Sequence, residues 1–306
     1  MTDPLADVVS LLQPRAPFSK LSSGAGRWAV HRAESGRPFY CAILEGASRL
    51  AVEGHAPLRL EQGDFVLVPS ATRFTSSSLE PPRGTRDSPH HVLPNGEFRL
   101  GKREGPPDVR MLVGYCEFAS TDASLLVGLL PRLVHVHGRQ RLATLMQLVQ
   151  EEFREQLPGR EVILARLLEV LLIEALRATS DMDAAPGLLR GLADAQIAAA
   201  LRCIHAQPSM PWAVTELAKE AGLSRSAFFE RFSRALGVAP MEYLLGWRMA
   251  LAKDLLRRER VTLAEVAERV GYGSASAFSV AFTRHVGVAP GRFARETGRF
   301  TERNGA

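Results

Sequence analysis

The 306 residues predict an α+β chain in three parts: a β-rich N-terminal half, a helical pair, and an all-α C-terminal region. Three observations carry this. Close to the C-terminus one stretch is written twice, and each copy has helical periodicity. From about 18 to 118 the texture is short strand-like runs divided by Gly, Pro and Ser. Between these regions two apolar helical stripes are separated by Pro158-Gly159.

In chain order, Leu5, Val8, Val9 and Leu12 share one face of a short helix, and Pro14 and Pro17 stop it. Strand-like runs follow at 40–44, 48–52, 58–60 and 65–68. The turn chemistry of Glu45-Gly46, Glu53-Gly54 and Gly63-Asp64 lies between them. Many short strands at close spacing predict a small antiparallel barrel or sandwich. The run from Leu44-Glu45-Gly46 to Gly63-Asp64-Phe65-Val66-Leu67-Val68-Pro69 resembles the cupin barrel. The Gly-Asp turn, the apolar strand after it and Pro69 carry that resemblance.

Cupin barrels often hold a metal through histidines, so the resemblance directs attention to two slots. The one before Leu-Glu-Gly is Cys41, and the one after the Pro69 strand is Phe74. The paired-histidine signature is absent, so no metal, no cofactor and no catalytic residue is expected. His90-His91 fall in a Pro-, Gly-, Ser- and Arg-rich loop at 81–94, where adjacent histidines are usually solvated. His135 and His137 alternate as strand residues do, which fits a structural role. Cys41 and Cys116 are the ligand- or redox-sensing candidates if the barrel brings them together. The alternative, two small buried residues, stays open. Three cysteines at wide spacing, Cys41, Cys116 and Cys203, make neither a disulfide framework nor a zinc ribbon.

Helical periodicity returns at 140–179. Leu142, Leu145, Met146 and Val149 form one stripe. Val162, Leu164, Leu167, Leu168, Leu171, Leu172 and Leu176 form a wider one. A self-complementary helical pair suits a two-fold interface, with packing against the barrel as the alternative. Residues 180–191 read as a hinge. Asp194 then starts a helix through Ile197, Leu201 and Ile204, ending before Pro208 and Pro211-Trp212.

The duplicated stretch comes next. Ser224, Ser226, Ala227, Phe228, Phe232 and Arg234, shifted by 50, land on Ser274, Ser276, Ala277, Phe278, Phe282 and Arg284. Upstream the shift is 49, carrying Glu216, Leu217 and Gly222 onto Glu265, Val266 and Gly271. A turn absorbs an insertion and a helix interior does not, so the two registers meet at a turn. Val214, Leu217, Ala218 and Ala221 make the first helical stripe, and Leu263, Val266, Ala267 and Val270 repeat it. Gly222 and Gly271 suit a left-handed helix end, and Ser224 and Ser274 suit N-caps of the next helix. That helix is expected to bury Ala227, Phe228 and Phe232 in one copy and Ala277, Phe278 and Phe282 in the other. Gly237 and Gly287 end it.

Two helices joined by a tight Gly-containing turn are the unit whose second helix enters the major groove. The expected DNA-facing residues are Arg225, Ser226, Phe229, Glu230 and Ser233 in the first copy. In the second they are Ser274, Ala275, Ser276, Ser279, Val280, Thr283 and Arg284. Residues 241–258 connect the copies through the stripe Tyr243, Leu244, Trp247, Ala250, Leu251 and Leu255. At 1.5 Å per residue this helix spans roughly 27 Å. Major-groove faces recur at about 34 Å, so one chain can read a non-palindromic site.

Residues 195–297 resemble the C-terminal domain of the AraC/XylS family of bacterial transcription regulators. The match rests on Ala218, Gly222, Ser224, Phe228, Phe232, Gly237, Pro240, Tyr243, Arg248, Ala252, Leu255 and Leu256. It continues through Ala267, Gly271, Tyr272, Ser274, Phe278, Phe282, Gly287, Pro290 and Arg292. The cupin-like segment resembles the sensor domain of that family's cupin-type branch. One departure stands out. Where the family usually has a basic residue two before the last aromatic of the second reading helix, this chain has Val280, and the first copy has Glu230. That puts direct guanine readout at those positions in question.

The expected organisation is a sensor domain at 1–138, a helical linker and dimerisation region at 139–193, the tandem helix-turn-helix at 194–298, and a disordered tail at 299–306. From residue 195 onward 16 Lys and Arg stand against 10 Asp and Glu, and the remainder of the chain is close to neutral. The basic excess therefore lies where phosphate contact is expected. The N-terminus lacks a basic region followed by an apolar core, and no apolar run is long enough for a bilayer, so a cytoplasmic location and no membrane partner are expected. The partner set that follows is a double-stranded DNA operator. RNA polymerase, a small-molecule or redox effector and a second copy of the chain are further candidates. A cupin metalloenzyme with an accessory helical domain is the competing class, and a protein-binding helical repeat is a third.

Overall fold

A computed structural model of the chain describes residues 3–12, 14–94, 96–118, 127, 130–155, 157–178, 186–258 and 261–303. The chain forms two compact units. One comprises Gln13–Ala119 and Leu130–Ala185. The other comprises Met1–Leu12, Ser120–Leu129 and Pro186–Ala306.

The first unit is a curled eight-stranded sheet. Its strands are β1 (Pro14–Ala25), β2 (Ala29–Val52), β3 (Leu58–Glu61), β4 (Phe65–Ser77), β5 (His90–Val92), β6 (Phe98–Gly101), β7 (Val109–Phe118) and β8 (Val134–Val136). The order is β5-β6-β1-β7-β2-β4-β8, with β3 paired to β2 off that path. The β1–β6 pair is parallel, and the other ladders are antiparallel. The long strand β2 produces the curl. Its Ala29 and its Arg49 both pair with Ser77, so β2 flanks the end of β4 on both edges. This is the cupin-like sheet that the resemblance implies, with one parallel pair that the antiparallel expectation from strand spacing does not include.

Alternation along these strands fills the inside with Trp28, Phe39, Cys41, Ile43, Leu50, Val66, Val68, Phe74 and Met111. Cys41 and Phe74, which occupy the two slots compared with metal-binding cupins, are thus core residues. Phe74 stacks on Phe39 with ring centroids 4.1 Å apart. Burial, with Asp64 adding to it, pushes the Cys41 thiol up to about 12, so it stays protonated at neutral pH. The Cys116 side chain lies outside the described residues. His135 and His137 both reach the buried Asp64 of the β3–β4 turn, at 3.3 and 2.5 Å. They tie β8 to that turn. His90 and His91 form the short strand β5 rather than a loop, since they pair with Leu100 and Arg99 of β6. Among the described residues no group of three or more His, Cys, Asp or Glu could hold a metal ion.

Helices α2 (Gln140–Glu155) and α3 (Arg160–Ala178) belong to this unit. They pack on each other, and α3 also packs on β1 and β8. Leu142, Met146 and Val149 of α2 are buried, as are Leu164, Leu171, Leu172 and Leu176 of α3. Val162, counted in the second apolar stripe, is 66% exposed, and Leu148, Leu157, Ile163 and Val170 also face solvent.

The second unit holds α1 (Pro4–Leu12), α4 (Leu188–Ala193), α5 (Ala195–Ala206), α6 (Val214–Glu220), α7 (Arg225–Leu236), α8 (Pro240–Arg258), α9 (Leu263–Arg269), α10 (Ala275–Val286) and α11 (Pro290–Arg303). The N-terminal helix belongs here and not with the sheet: α1 packs on α5 and α8. Leu5, Val8, Val9 and Leu12 are its buried face. Periodicity predicts that face but not its partner. His205 stands at the junction. It is 3.1 Å from the Asp7 carboxylate through Nδ1 and 2.8 Å from the Tyr243 hydroxyl through Nε2, and it stacks on Trp247 at 3.8 Å. A neutral imidazole serves both contacts, with Nδ1–H donating to Asp7 and Nε2 accepting from Tyr243. Burial lowers the His205 pKa below its ordinary value, and Asp7 opposes that shift. The stretch read as a hinge overlaps the start of α4, whose Leu188 and Leu189 are buried. A six-residue helix is too short to display a period. The hinge residues 180–185 lie outside the described residues. The last helix continues through Arg303, past 299 where the sequence reading begins a tail, and 304–306 lie outside the described residues.

Candidate nucleic-acid interface

The two copies fold as the same unit, atom pair for atom pair. Leu223 N–H donates to the Ala218 carbonyl at 2.9 Å, and Tyr272 N–H to the Ala267 carbonyl at 2.8 Å, a shift of 49 in donor and acceptor alike. These bonds close the first helix of each copy around Gly222 and Gly271, at φ +63° and +81°. The shift then becomes 50. Ser224 Oγ accepts from Ala227 N–H at 3.3 Å, and Ser274 Oγ accepts from Ala277 N–H at 3.1 Å. The additional residue in the second copy is therefore Gly273, inside the turn. Gly237 and Gly287 close the second helices in left-handed conformation.

The first helices differ in their caps. In the second copy Thr262 and Glu265 cap each other reciprocally, at 3.3 and 2.7 Å. In the first copy Glu216 accepts from Ala213 N–H, but alanine has no oxygen with which to return a bond.

Behind each reading helix sits an aromatic core. Phe228 and Phe232 are fully buried, and Phe232 meets Tyr243 edge-on at 5.8 Å. Phe278 and Phe282 are fully buried, and Phe282 meets Phe293 edge-on at 5.6 Å. Tyr243 and Phe293 obey the same shift of 50, although tyrosine and phenylalanine differ in identity. Helix α8 serves both cores, through Tyr243, Leu244 and Trp247 near its start and Met249, Ala252 and Leu256 further on.

On the outer faces Arg225, Ser226, Phe229 and Glu230 are exposed in α7. Ser276, Val280, Thr283 and Arg284 are exposed in α10, with Ala275 and Ser279 half-buried. Ser274 is exposed, but its oxygen is committed to the cap. Two expectations need correcting. Ala227 and Ala277 are exposed rather than buried, because each is the third residue of its helix and sits ahead of the aromatic stripe. Ser233 is half-buried with its Oγ fully enclosed, so it does not share the outer face. Arg231 is exposed but pairs with Asp194 at 2.5 Å. Burial pushes the Asp194 pKa up. Arg231 and the N–H groups of Ile197 and Gln196 outweigh that and hold it below the usual carboxylate range.

The two copies are fastened together by Arg248 of α8. It donates to the carbonyls of Pro208 and Met210 at 2.8 and 2.6 Å, in the loop that leads into the first copy. Its guanidinium also lies against Gly271, in the turn of the second copy. A Cβ there would stand 2.7 Å from Arg248 Nη2 and 2.8 Å from the Ser209 carbonyl oxygen. In sequence Arg248 is only one residue of the family pattern. Its role depends on three segments meeting, which spacing does not report.

The comparisons with known proteins fit this geometry. Residues 3–181 match the family described as Cupin, and residues 217–296 match the family described as Helix-turn-helix domain. A putative AraC-like transcription regulator of Streptomyces lividans is 35% identical over 298 residues, spanning 95% of this chain and 97% of that protein. Another from Streptomyces antibioticus is 36% identical over 299 residues, spanning 95% and 98%. Among solved structures, ToxT from Vibrio cholerae aligns with 92% of this chain and 94% of its own at 13% identity, with a TM-score of 0.36. A cupin half followed by paired helix-turn-helix units defines a DNA-binding transcription regulator. The chain belongs to the AraC-like transcription regulators. No helix of the described residues is long and apolar enough to cross a membrane.

Proposed function

We propose that this regulator grips a non-palindromic operator in the cytoplasm, with α7 and α10 in successive major-groove faces. The observation that carries the proposal is the pair of identically capped helices, each with its aromatic side buried and its opposite side exposed, at the two ends of one stiff connector. Nineteen helical residues span about 28 Å, close to one turn of the duplex. Arg225 at the start of α7 is the cation best placed for a phosphate or base edge, because it is exposed on the outer face at the helix N-terminus. Ser226, Phe229 and Glu230 complete that face. Ser276, Ser279, Thr283 and Arg284 form its counterpart. Selection of duplexes from a random pool tests the proposal. A recovered motif of two half-sites about ten base pairs apart is expected. No enrichment by folded protein at near-physiological salt would end it.

The sheet unit receives the signal and, in this proposal, carries the contact with a second copy. The exposed Val162, Ile163 and Val170 of α3 and Leu148 of α2 support that role, since a soluble helix pair seldom leaves so many large apolar side chains to solvent. Val162→Glu with Ile163→Glu is expected to give a monomer by sedimentation. The effector's chemistry is open to a small molecule or an oxidant. The core position of Cys41 favours the former, because a protonated thiol is a poor nucleophile. RNA polymerase is the proposed downstream partner. The metalloenzyme alternative is not favoured, since both cupin slots hold core side chains.

A further inference from the structure

We infer that the second reading helix selects its half-site by apolar contact, with Val280 packing against the C5-methyl group of a thymine. The inference rests on the operator-binding role proposed above and adds the base class that α10 recognises.

Ser274 caps α10, so Ser276, Ser279, Val280 and Thr283 fall at the i, i+3, i+4 and i+7 positions of one stripe, opposite Phe278 and Phe282. A groove-reading helix presents this stripe, and chiefly its N-terminal part, to base edges. Three of the four side chains are short hydroxyls, and their hydrogen bonds are local. Ser279 donates to the Ala275 carbonyl at 2.7 Å, Thr283 donates to the Ser279 carbonyl at 2.7 Å, and Ser276 shares a hydrogen with Ser274 at 3.0 Å. With those hydrogens used inside the helix, the stripe offers no long donor for guanine O6 and N7. What stands out from it is Val280, 71% exposed, more than any other large apolar side chain among the described residues.

Of the four bases only thymine presents a methyl group in the major groove. Removing a branched apolar side chain and that methyl from water together is favourable, and no other base edge offers the same gain. The first helix makes the contrast. At the position equivalent to Val280 it has Glu230, flanked by Phe229 and Arg225, all exposed. The two half-sites are therefore read by different chemistry: charge and an aromatic in the first, methyl contact in the second. A protein partner is the other class of surface an exposed valine could meet. The position of Val280 between base-facing hydroxyls on a capped groove helix favours the duplex.

The test uses the full-length protein and the duplex recovered by random-pool selection. Each thymine is replaced in turn by deoxyuridine, which deletes only the methyl. Replacing one thymine of the α10 half-site is expected to weaken wild-type binding about three- to tenfold, the discrimination a single buried methyl supplies. Val280→Ala is expected to melt like wild type and to bind the thymine and deoxyuridine duplexes nearly alike. Two results overturn the inference. One is a wild-type protein indifferent to deoxyuridine throughout that half-site. The other is a Val280→Ala protein that keeps full sensitivity. If Val280→Ala binds as wild type but fails in transcription with purified polymerase, the valine faces the polymerase and the inference falls. None of these outcomes is confused with failure of operator binding itself, in which no duplex is enriched at all.

Discussion

Substituting alanine for each of the two turn glycines separates two effects that look identical in sequence. Gly222 and Gly271 hold the same place in their copies, and both adopt left-handed conformation, at φ +63° and +81°. A Cβ in that conformation costs about 1–2 kcal/mol at either site. At Gly222 there is nothing within 4 Å of the added atom, so that strain is the whole effect. At Gly271 the atom meets the Ser209 carbonyl oxygen and the Arg248 guanidinium. The backbone cannot move far, so Arg248 must, and its bonds to Pro208 and Met210 are put at risk. Bonds to a charged donor contribute about 1.5–3 kcal/mol each. We expect Gly222→Ala to lose about 1–2 kcal/mol and Gly271→Ala about 2.5–5 kcal/mol, the strain plus the loss of one of the two Arg248 bonds. Hydrogen exchange in denaturant, followed at the amides of α6 and α9 in the full chain, reads each copy separately. Gly271→Ala is also expected to weaken operator binding, because the copies lose the fastening that sets their spacing. Equal losses at the two glycines would refute the role assigned to Arg248.

Phe232→Ala or Phe282→Ala should cost about 3–5 kcal/mol and release its own copy first, since each ring is fully buried. Unchanged melting in either variant would contradict the aromatic cores. Arg225→Ala should leave melting unchanged and weaken operator binding, with a shallower salt dependence in titrations at several salt concentrations. Acid should destabilise the C-terminal unit through His205. Its folded pKa lies below the ordinary 6.5, so as pH falls through that value the unfolded chain takes the proton first. Stability is complete above about pH 6.5 and declines below it until the folded imidazole also protonates. Asp7→Asn, by removing the opposing charge, should lower the folded value further and deepen that loss. Thermal melts between pH 5 and 8 check both, and a flat profile would be inconsistent with a buried neutral imidazole.

The sequence by itself determined the units that are local. A period of 3.6, a glycine at a helix end and a serine four residues before a buried aromatic are facts of one chain segment. The helix-turn-helix pair, its duplicated caps and its aromatic cores were therefore legible from spacing alone. The strand texture and turns of the N-terminal half gave its class for the same reason. Tertiary structure decided which faces meet. That the apolar face of α1 packs on the C-terminal helices, with Asp7 meeting His205, joins residues nearly 200 positions apart. That β2 curls round β4 depends on Ala29 and Arg49 sharing Ser77. Arg248 joins three segments at Gly271, and Val280 stays 71% exposed among the described residues. Contacts between distant segments depend on how whole elements pack, and periodicity within one element carries no record of its neighbour.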